Sequence, residues 1–416
     1  MSELAEHPPT EWIEWAERIM GGPMVGVKRE FTGGSRELWY VDFRVGGRSI
    51  ECVLRKEIPG GALSGSPYDL VHEVDVYRQL VPTGIPVPEV FGARDDGVLM
   101  ARAHGSSRLP VDPAVSGRLL DDFMRTVARL HSLPPSTTTI TEATRLEIDR
   151  WEALADHSDP LIVYALGWLR DNVPDDPGRA VLVQGDTGPG NFVADGDRLT
   201  ALIDWELSHL GDPMDDIAWI DQRCGGLAGP WSDAAARDAA YVRERGVPID
   251  PVRVTYWTVF VRLRCAVITD LTIRSGRGAL GTVLYEPPRH RFRVEMATAL
   301  CEATGVTPTW IPDHPIETGA DEGPFDRRIT SLRAALDRPG LRAAEKLGLR
   351  GELVAAMHQR AEVLLADVDT PPALTSPDPL GLLHHSAQLD ARPWRTPLST
   401  GHPPVVVNPR RPRRTP

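Results

Sequence analysis

Cysteines and aromatic residues are scarce in this sequence, and long apolar runs are missing. Four of the 416 residues are cysteines, 6% are aromatic, and no two cysteines form a CxxC pair. This spacing argues against a disulfide-stapled scaffold or a common zinc site and favours reduced thiols. The most apolar segment, residues 257–268, is interrupted by Arg262 and Arg264, so we expect no membrane-spanning helix.

Positive charge is also in short supply. Lysine and arginine number 46 against 58 aspartates and glutamates, which gives a net charge of −12. A field of this sign repels phosphate and excludes a nucleic-acid binder that relies on overall positive charge. The first twenty residues carry five glutamates rather than the basic start of a signal peptide. The sequence therefore predicts a soluble, cytoplasmic protein with no nucleic-acid or membrane partner, and it carries no signal for the oligomeric state.

Two common catalytic motifs are absent as well. No GxxxxGK[ST] phosphate loop occurs, and the segment HEVDV at residues 72–76 is not the HExxH of a zinc protease. Residues 276–281 match GxGxxG, but they follow a helix-like segment and run into a Tyr-Glu-Pro-Pro sequence. Because a dinucleotide fingerprint needs a strand before it and a helix after it, we expect a loop there instead.

The predicted elements change from strands to helices along the chain. Residues 9–20 place apolar side chains on one helical face, and two strand-like segments follow, joined by Gly46-Gly47. Helices dominate from Val115 onward, interrupted by two short strands at 180–184 and 199–204. This order predicts an α+β fold with a strand-rich N-terminal lobe and a larger helical lobe. The other expected elements are a helix at 69–80, a proline-rich irregular segment at 81–93, a strand at 97–101, and helices at 232–246, 250–274 and 289–304.

The most informative stretch lies at residues 181–220. An apolar strand leads into Asp186 and a Gly-Pro-Gly loop, Asn191 follows five residues later, and a second apolar strand leads into Asp204. Two carboxylates and an amide at adjacent strand ends provide hard oxygen ligands of the kind that Mg²⁺ prefers. Each residue alone is common in turns and caps, but the combination favours a functional site.

These three residues match what phosphoryl transfer requires. The reaction needs a carboxylate to take a hydroxyl proton and oxygen ligands to hold a metal on the phosphates. The Asp-x4-Asn spacing also matches the catalytic loop of kinases. The stretch resembles the signature of the aminoglycoside phosphotransferase family, relatives of protein kinases that phosphorylate the hydroxyls of small molecules. The family pattern HGDxxxxN, IDWE and GDPxxDLA stands here as QGDTGPGN, IDWE and GDPMDDIA.

This resemblance implies a protein-kinase-like two-lobed fold, ATP and Mg²⁺ as cofactors, and a role for each matched residue. By this resemblance Asp186 is the catalytic base, while Asn191 and Asp204 bind magnesium. Asp216 resembles the acid that holds the backbone of the catalytic loop. Gln184 stands where the family has a histidine that supports the same loop.

The N-terminal lobe carries a second set of family-like residues. The segment FTGGSRELWYV resembles the glycine-containing hairpin over ATP, and ECVLRKE resembles the strand that carries the phosphate-binding cation. In that strand Lys56 has the opposite parity to its neighbour and should point away from the nucleotide. A glutamate on the next helix is implied as the partner of the cation, and a hinge segment is implied next to the adenine. The residues implied to contact ATP or its cation are Gly33, Gly34, Ser35, Arg55, Glu73, Ala101 and Ala103.

The resemblance covers about residues 22–305 and does not explain the C-terminal part, and the whole sequence divides into four parts. Residues 1–103 are expected to form the nucleotide-binding lobe with a leading helix, and residues 104–305 the helical lobe with the catalytic and metal loops. Residues 306–370 are predicted to be a helical extension, which could act as an interaction module alongside catalysis. Residues 371–416 contain 11 prolines and read as a flexible tail.

A small-molecule hydroxyl is the predicted acceptor, with a hydroxy acid or hydroxyacyl thioester favoured. Residues 256–268 and GDPMDDIAW resemble the branch of the family with kinase-like domains fused to acyl-CoA dehydrogenases, although 256–268 also form an ordinary apolar helix face. The alternatives are an aminoglycoside O-phosphotransferase and a catalytically dead nucleotide-binding scaffold, the latter supported only by Gln184. The expected 250–274 helix carries a basic surface that suits an acidic acceptor unless its arginines are solvated or paired with acids: Arg253, Arg262, Arg264 and Arg274.

Overall fold

A five-stranded antiparallel sheet forms the N-terminal lobe of the computed structural model. The structure describes residues 7–30, 36–275 and 278–306, without the side chains of 278–288 and 290. The strands lie in the order β1-β2-β3-β5-β4. The β2–β3 hairpin turns through Gly46 and Gly47, whose φ angles of 55° and 80° lie in the left-handed region that glycine adopts without strain. The strands are β1 (Met24–Glu30), β2 (Arg36–Val45), β3 (Arg48–Glu57), β4 (Val90–Arg94) and β5 (Gly97–Ala101).

Helix α1 (Thr10–Met20) covers one face of this sheet. Its Trp12 and Ala16 are fully buried against alternate residues of β2, namely Trp39, Val41 and Phe43. The inward-facing side chains of β2 and the apolar face of α1 therefore pack together in a small core that is separate from that of the helical lobe.

Helix α2 (Leu70–Leu80) joins the sheet to the rest of the molecule. Its N-cap is Asp69, whose side chain accepts a hydrogen bond from the His72 N–H at 2.9 Å. Buried residues of α2, among them Val74 and Tyr77, belong to the same apolar core as Met100 of β5 and the helical lobe. The two lobes are thus packed through α2 rather than merely connected by the chain.

The helical lobe contains two small antiparallel sheets among its helices. Strand β6 (Val181–Val183) pairs with β9 (His209–Gly211), and β7 (Phe192–Asp195) pairs with β8 (Arg198–Leu202). No helix in the described part of the chain is long and apolar enough to cross a membrane. The helices of this lobe are α3 (Pro113–Leu130), α4 (Ile140–Leu154), α5 (Pro160–Asp171), α6 (Pro213–Cys224), α7 (Ala234–Arg245), α8 (Pro251–Arg274) and α9 (Gly278–Thr304).

The predicted α+β, two-lobed fold class is confirmed, but two local predictions are wrong. The proline-rich segment 81–93 contains the start of β4, because a short edge strand forms directly after its prolines. The strands expected at 180–184 and 199–204 form as β6 and β8, and each pairs with a strand that the sequence did not indicate. The loop expected at 276–281 is helical from Gly278, where α9 begins. The expected 306–370 extension, apart from its first residue, and the expected 371–416 tail lie outside the described residues.

Candidate active site

A loop of eight residues, 184–191, connects β6 to β7 and carries the candidate catalytic side chains. Gly185 has φ +79°, and a Cβ atom there would lie 2.1 Å from the carbonyl oxygen of Leu207. Only glycine fits this conformation and this close approach. The loop is therefore anchored against the 203–208 segment, where the second candidate acid is located.

Asp186 lies at the centre of a group of hydrogen bonds. Its Oδ1 accepts from Nε of Arg223 at 2.7 Å, and its Oδ2 accepts from Nη2 of the same arginine. Nδ2 of Asn191 donates to Oδ2 at 2.7 Å and to the main-chain oxygen of Asp186 at 2.8 Å. Burial raises the pKa of Asp186; Arg223 opposes this shift, and the pKa stays above its usual value.

Asp204 follows β8 in an uncommon backbone conformation. Its φ of 64° is the only positive value among the non-glycine residues that the structure describes. Its main-chain N–H donates to the hydroxyl of Tyr77 on α2 at 3.1 Å, and its Oδ1 lies 3.3 Å from Nη2 of Arg55. Both lobes therefore hold this aspartate, and backbone strain of this kind is typical of functional sites.

The residues around Asp204 suit Mg²⁺ when a nucleotide supplies further ligands. The N–H of Ile203 donates to the main-chain oxygen of Asn191 at 3.0 Å, which brings the two candidate ligands together. Because Nδ2 of Asn191 is already bonded to Asp186, its amide oxygen is the atom left for a metal. Within the described residues, no cluster of three or more His, Cys, Asp or Glu could hold a metal by itself. Magnesium is commonly bound by one or two protein groups together with phosphates and water. The amide oxygen of Asn191 and the carboxylate of Asp204 match this type of coordination.

Gln184 connects the two segments that carry Asn191 and Asp204. Its side-chain Nε2 donates to the main-chain oxygens of Ile203 at 2.6 Å and Asn191 at 3.3 Å. The side chain is fully buried, and its Oε1 has no hydrogen-bond partner among the described residues. The amide thus supplies donors to the catalytic loop from the position where the family has histidine.

Asp216 on α6 holds the start of the same loop. Its Oδ1 and Oδ2 accept the main-chain N–H groups of Gly185 and Gln184, each at 2.9 Å. Nε2 of His131 lies 2.9 Å from Oδ2. Burial alone would raise the pKa of Asp216, but the hydrogen bonds and charge of its neighbours outweigh it and lower the pKa. An ionised carboxylate therefore fixes two consecutive backbone amides.

On the N-terminal lobe, Arg55 reaches both Glu73 and Asp204. Its Nη1 lies 2.5 Å from Oε1 of Glu73, which is fully buried on α2. Lys56 lies on the other side of the sheet, where its Nζ is 5.9 Å from the ring centroid of Trp12. Arg36 also pairs with Glu73, a contact that the sequence did not indicate. The one feature of the sequence that points to Arg36 is its position directly after the glycine-containing segment.

The remaining ATP contacts implied by the sequence are only partly described. Gly33, Gly34 and Ser35 lie outside the described residues. The N–H of Ala101 is used within the sheet, donating to the carbonyl oxygen of Glu89 at 2.8 Å. The N–H of Ala103 has no hydrogen-bond partner among the described residues, so it remains available for the adenine contact that the resemblance implies.

The arginines of α8 do not form a free basic surface. Each is paired with at least one acid, which removes the charge argument for an acidic acceptor. Arg264 is fully buried, and its Nη2 donates to Asp215 at 2.6 Å. The pairs are Arg253 with Asp176 and Asp212, Arg262 with Glu295, Arg264 with Asp215, and Arg274 with Asp156.

Arg223 is the functional candidate that the sequence reasoning missed. It lies at the end of α6, seven residues after Asp216, and its guanidinium contacts the carboxylate of Asp186. Two helical turns separate the two side chains, so both face the catalytic loop. That helical spacing was the only signal in the sequence.

A strand-rich lobe and a helical lobe, with an Asp-x4-Asn loop and a further aspartate at their junction, form the arrangement that is typical of kinase-like phosphotransferases. Residues 42–246 match the family model described as APH, Phosphotransferase enzyme family, which confirms the resemblance found in the sequence. The cofactors of the family are ATP and Mg²⁺, as the sequence predicts.

Similar curated proteins carry the name acyl-CoA dehydrogenase. Acyl-CoA dehydrogenase family member 11 of Pongo abelii is 27% identical over 190 residues, 40% of this chain and 24% of that protein. Probable acyl-CoA dehydrogenase IBR3 of Arabidopsis thaliana is 29% identical over 219 residues, 45% of this chain and 26% of that protein. The chain thus spans about a quarter of their length. The predicted branch of the family is confirmed.

Two solved structures give weaker similarities. Aminoglycoside phosphotransferase APH(4)-Ia is 18% identical with a TM-score of 0.49, covering 69% of this chain and 98% of that one. Macrolide 2'-phosphotransferase MphH from Brachybacterium faecium is 18% identical with a TM-score of 0.45, covering 70% and 98%. Similarity at this level supports no conclusion about the acceptor.

Proposed function

We propose that this chain is an ATP-dependent phosphotransferase that moves the γ-phosphate of ATP to a hydroxyl of a small molecule, with Asp186 as the base. The arrangement of Asp186 carries the proposal. Its carboxylate is held beside Asn191, the loop that bears it is fixed by Asp216, and Asp204 lies on the neighbouring segment. These are the parts that phosphoryl transfer requires.

In the proposed step, Asp186 accepts the proton of the acceptor hydroxyl. The acceptor oxygen forms a bond to the γ-phosphorus, and the bond from that phosphorus to the β,γ-bridging oxygen breaks. The products are a phosphate monoester and ADP, and Asp186 then releases the proton to solvent. General-base catalysis of this kind contributes about 10²- to 10⁴-fold to a rate.

The nucleotide side of the site depends on residues from both lobes. Asn191 and Asp204 would hold Mg²⁺, which neutralises charge on the phosphate oxygens when bound. Arg55, fixed by Glu73, would contact phosphate oxygens through its forked guanidinium. Its present contact with Asp204 keeps the cation next to the proposed metal ligand.

For the acceptor, we favour a hydroxy acid or a hydroxyacyl thioester. The support is the similarity to proteins named acyl-CoA dehydrogenases, which points to acyl chemistry. The basic character expected of α8 gives no support, because its arginines are paired. An aminoglycoside is a polycation, and its binding needs a cluster of free carboxylates. It is the alternative acceptor, and the experiment must distinguish it from a hydroxyacyl compound.

ATP consumption with a panel of hydroxyl compounds tests this function. Hydroxyacyl-CoA thioesters and kanamycin-type antibiotics are run side by side, with Asp186→Asn as the blank. We expect turnover of a hydroxyacyl compound, a loss of at least about 100-fold in Asp186→Asn, and little change in ATP affinity.

Each contrary result has a separate meaning. Turnover of the antibiotic alone would overturn the acceptor and leave the phosphotransferase. ATP binding with no turnover of any compound would favour the dead scaffold, the alternative that rests on Gln184. Unchanged turnover in Asp186→Asn would remove the assignment of the base.

A further inference from the structure

Arg223 contacts both oxygens of the proposed base. Its Nε donates to Oδ1 of Asp186 at 2.7 Å, and its Nη2 donates to Oδ2. The arginine side chain is 27% exposed and the aspartate side chain 18% exposed, so the pair is partly accessible to solvent. A planar, two-point contact of this kind fixes orientation as well as charge.

The contacts of Asp186 leave one position open. A carboxylate offers about four lone-pair sites, two on each oxygen. Arg223 uses one site on each oxygen, and Asn191 uses the second site on Oδ2. Within the described residues, the remaining site is on Oδ1. An acceptor hydroxyl would therefore meet a base that presents one defined oxygen.

The catalytic loop is also shaped around this arginine. A Cβ atom on Gly188 would lie 2.8 Å from Cβ of Arg223, and one on Gly190 would lie 3.4 Å from Nη1. Both glycines have positive φ angles, and Nη1 donates to the carbonyl oxygen of Pro189 at 3.2 Å. The side chain thus contacts the loop along its length, and not only at the carboxylate.

We propose that Arg223 is a positioning residue for phosphoryl transfer, holding the Asp186 carboxylate in the one rotation that offers Oδ1 to the acceptor. The inference rests on the proposed function. Without the arginine, the carboxylate can turn about its Cβ–Cγ bond and the loop loses its contact at Pro189. The acceptor hydroxyl and the base then meet in the productive geometry less often, while Arg55 and Glu73, which hold the nucleotide from the other lobe, are unchanged.

Steady-state kinetics of three variants test the role of Arg223. Arg223→Gln, Arg223→Lys and Arg223→Ala are compared with wild type, using the hydroxyl compound that is turned over in the acceptor panel. We expect kcat to fall about 100-fold in Arg223→Gln with the KM for ATP nearly constant, because misplacement of a reacting group by about 1 Å has that effect. Arg223→Lys should retain part of kcat. Guanidinium chloride, well below denaturing concentrations, should partly restore kcat in Arg223→Ala.

Arg237→Gln is the matched control. Arg237 pairs with Asp221, a carboxylate of the helix that carries Arg223, but it does not contact Asp186. This variant reports the cost of removing an arginine ion pair from the same region. We expect its kcat to stay close to that of wild type in the folded fraction.

Two kinetic results would overturn the inference. A kcat in Arg223→Gln equal to or above wild type would mean that the arginine is dispensable or restrains the base. A rise confined to the KM of the acceptor would make it a binding residue instead. The absence of turnover in wild type would instead contradict the proposed function.

A crystal structure of Arg223→Gln decides the geometric part without any activity. We expect the Asp186 carboxylate to rotate or to occupy two orientations in that variant. An Asp186 side chain that keeps the wild-type rotation, held by Asn191 alone, would contradict the positioning role.

Discussion

Arg55 and Lys56 are consecutive cations of β3 with different environments. Arg55 contacts Glu73 and Asp204 at the junction of the lobes, whereas Lys56 lies over Trp12 and 3.9 Å from Glu37. Successive side chains of a strand point to opposite faces, so only one of the two can serve the nucleotide.

We expect Arg55→Ala to raise the KM for ATP by at least about tenfold, since a charge-assisted contact to phosphate is worth about 1.5–3 kcal/mol. Arg55→Lys should retain partial activity, because a lysine keeps the charge and loses the fork. Lys56→Ala is the control and should leave the KM unchanged. Steady-state kinetics at saturating acceptor measure all three, and a reversed order of the two alanine variants would contradict the assignment of Arg55.

Individual residues of the site differ in how far the sequence revealed them. Asp186, Asn191 and Asp204 were predicted from their types and spacing, and the structure brings them into one hydrogen-bonded region. Arg223 and Arg36 were not predicted, because an arginine has no local pattern that distinguishes a contact with an acid from solvation. Their roles depend on which acid the fold places next to them.

At the scale of elements, α1 is fixed to the N-terminal sheet mainly through Trp12. This side chain is fully buried, and its ring lies 4.5 Å from the guanidinium carbon of Arg94. A Cβ atom on Gly97 would lie 1.9 Å from the Trp12 ring, so the strand and the helix are in direct contact there. The buried area of a tryptophan makes it the dominant apolar contact of this helix.

We expect Trp12→Ala to lower the free energy of unfolding by about 3–5 kcal/mol, the cost of removing a large aromatic side chain from a core. Urea denaturation measures the change. Trp15→Ala, on the same helix and only half-buried, is the control and should cost clearly less. Equal losses in the two variants would mean that α1 is not held through Trp12.

The pairing of short strands was the least predictable feature at this scale. The sequence identified β6 and β8 from their apolar residues, but it gave no sign that β6 pairs with the three residues of β9. Such a short partner has no periodicity of its own, and the pairing is set by the surrounding helices. The helices were predicted better, since α1, α2 and α8 each carry a cap or a periodic apolar face over more than two turns.

The helical lobe as a whole contains a buried cluster of charges contributed by four elements. Glu147 of α4, His209 of β9, Asp215 of α6 and Arg264 of α8 are all buried. Nε2 of His209 lies 3.1 Å from Oδ2 of Asp215, and its Nδ1 lies 3.7 Å from Oε1 of Glu147. With His209 protonated, two anions face two cations, so the cluster is neutral as a unit. Sequence alone could not find it, because Arg264 and Asp215 are 49 residues apart.

This cluster predicts how the stability of the protein depends on pH. Burial lowers the pKa of His209, but the charges of Glu147 and Asp215 outweigh burial, and the pKa is raised above 6.5. A raised pKa in the folded state stabilises the protein fully below the unfolded-state pKa, and the benefit is lost as pH rises through the folded-state pKa. His209→Gln has no proton to lose. We therefore expect the stability difference between wild type and His209→Gln to be largest near pH 6 and to shrink toward pH 9.

Urea unfolding at several pH values measures that difference. His157→Gln is the control and should show no such trend, because His157 is exposed and its ring hydrogen-bonds to the carbonyl oxygen of Glu152 rather than to an acid. A difference for His209→Gln that stays constant or grows with pH would mean that the imidazole is neutral in the folded protein. In that case Arg264 would be the one cation of the cluster facing Glu147 and Asp215. A buried carboxylate without a partner charge is costly, so one of the two acids would have to be protonated.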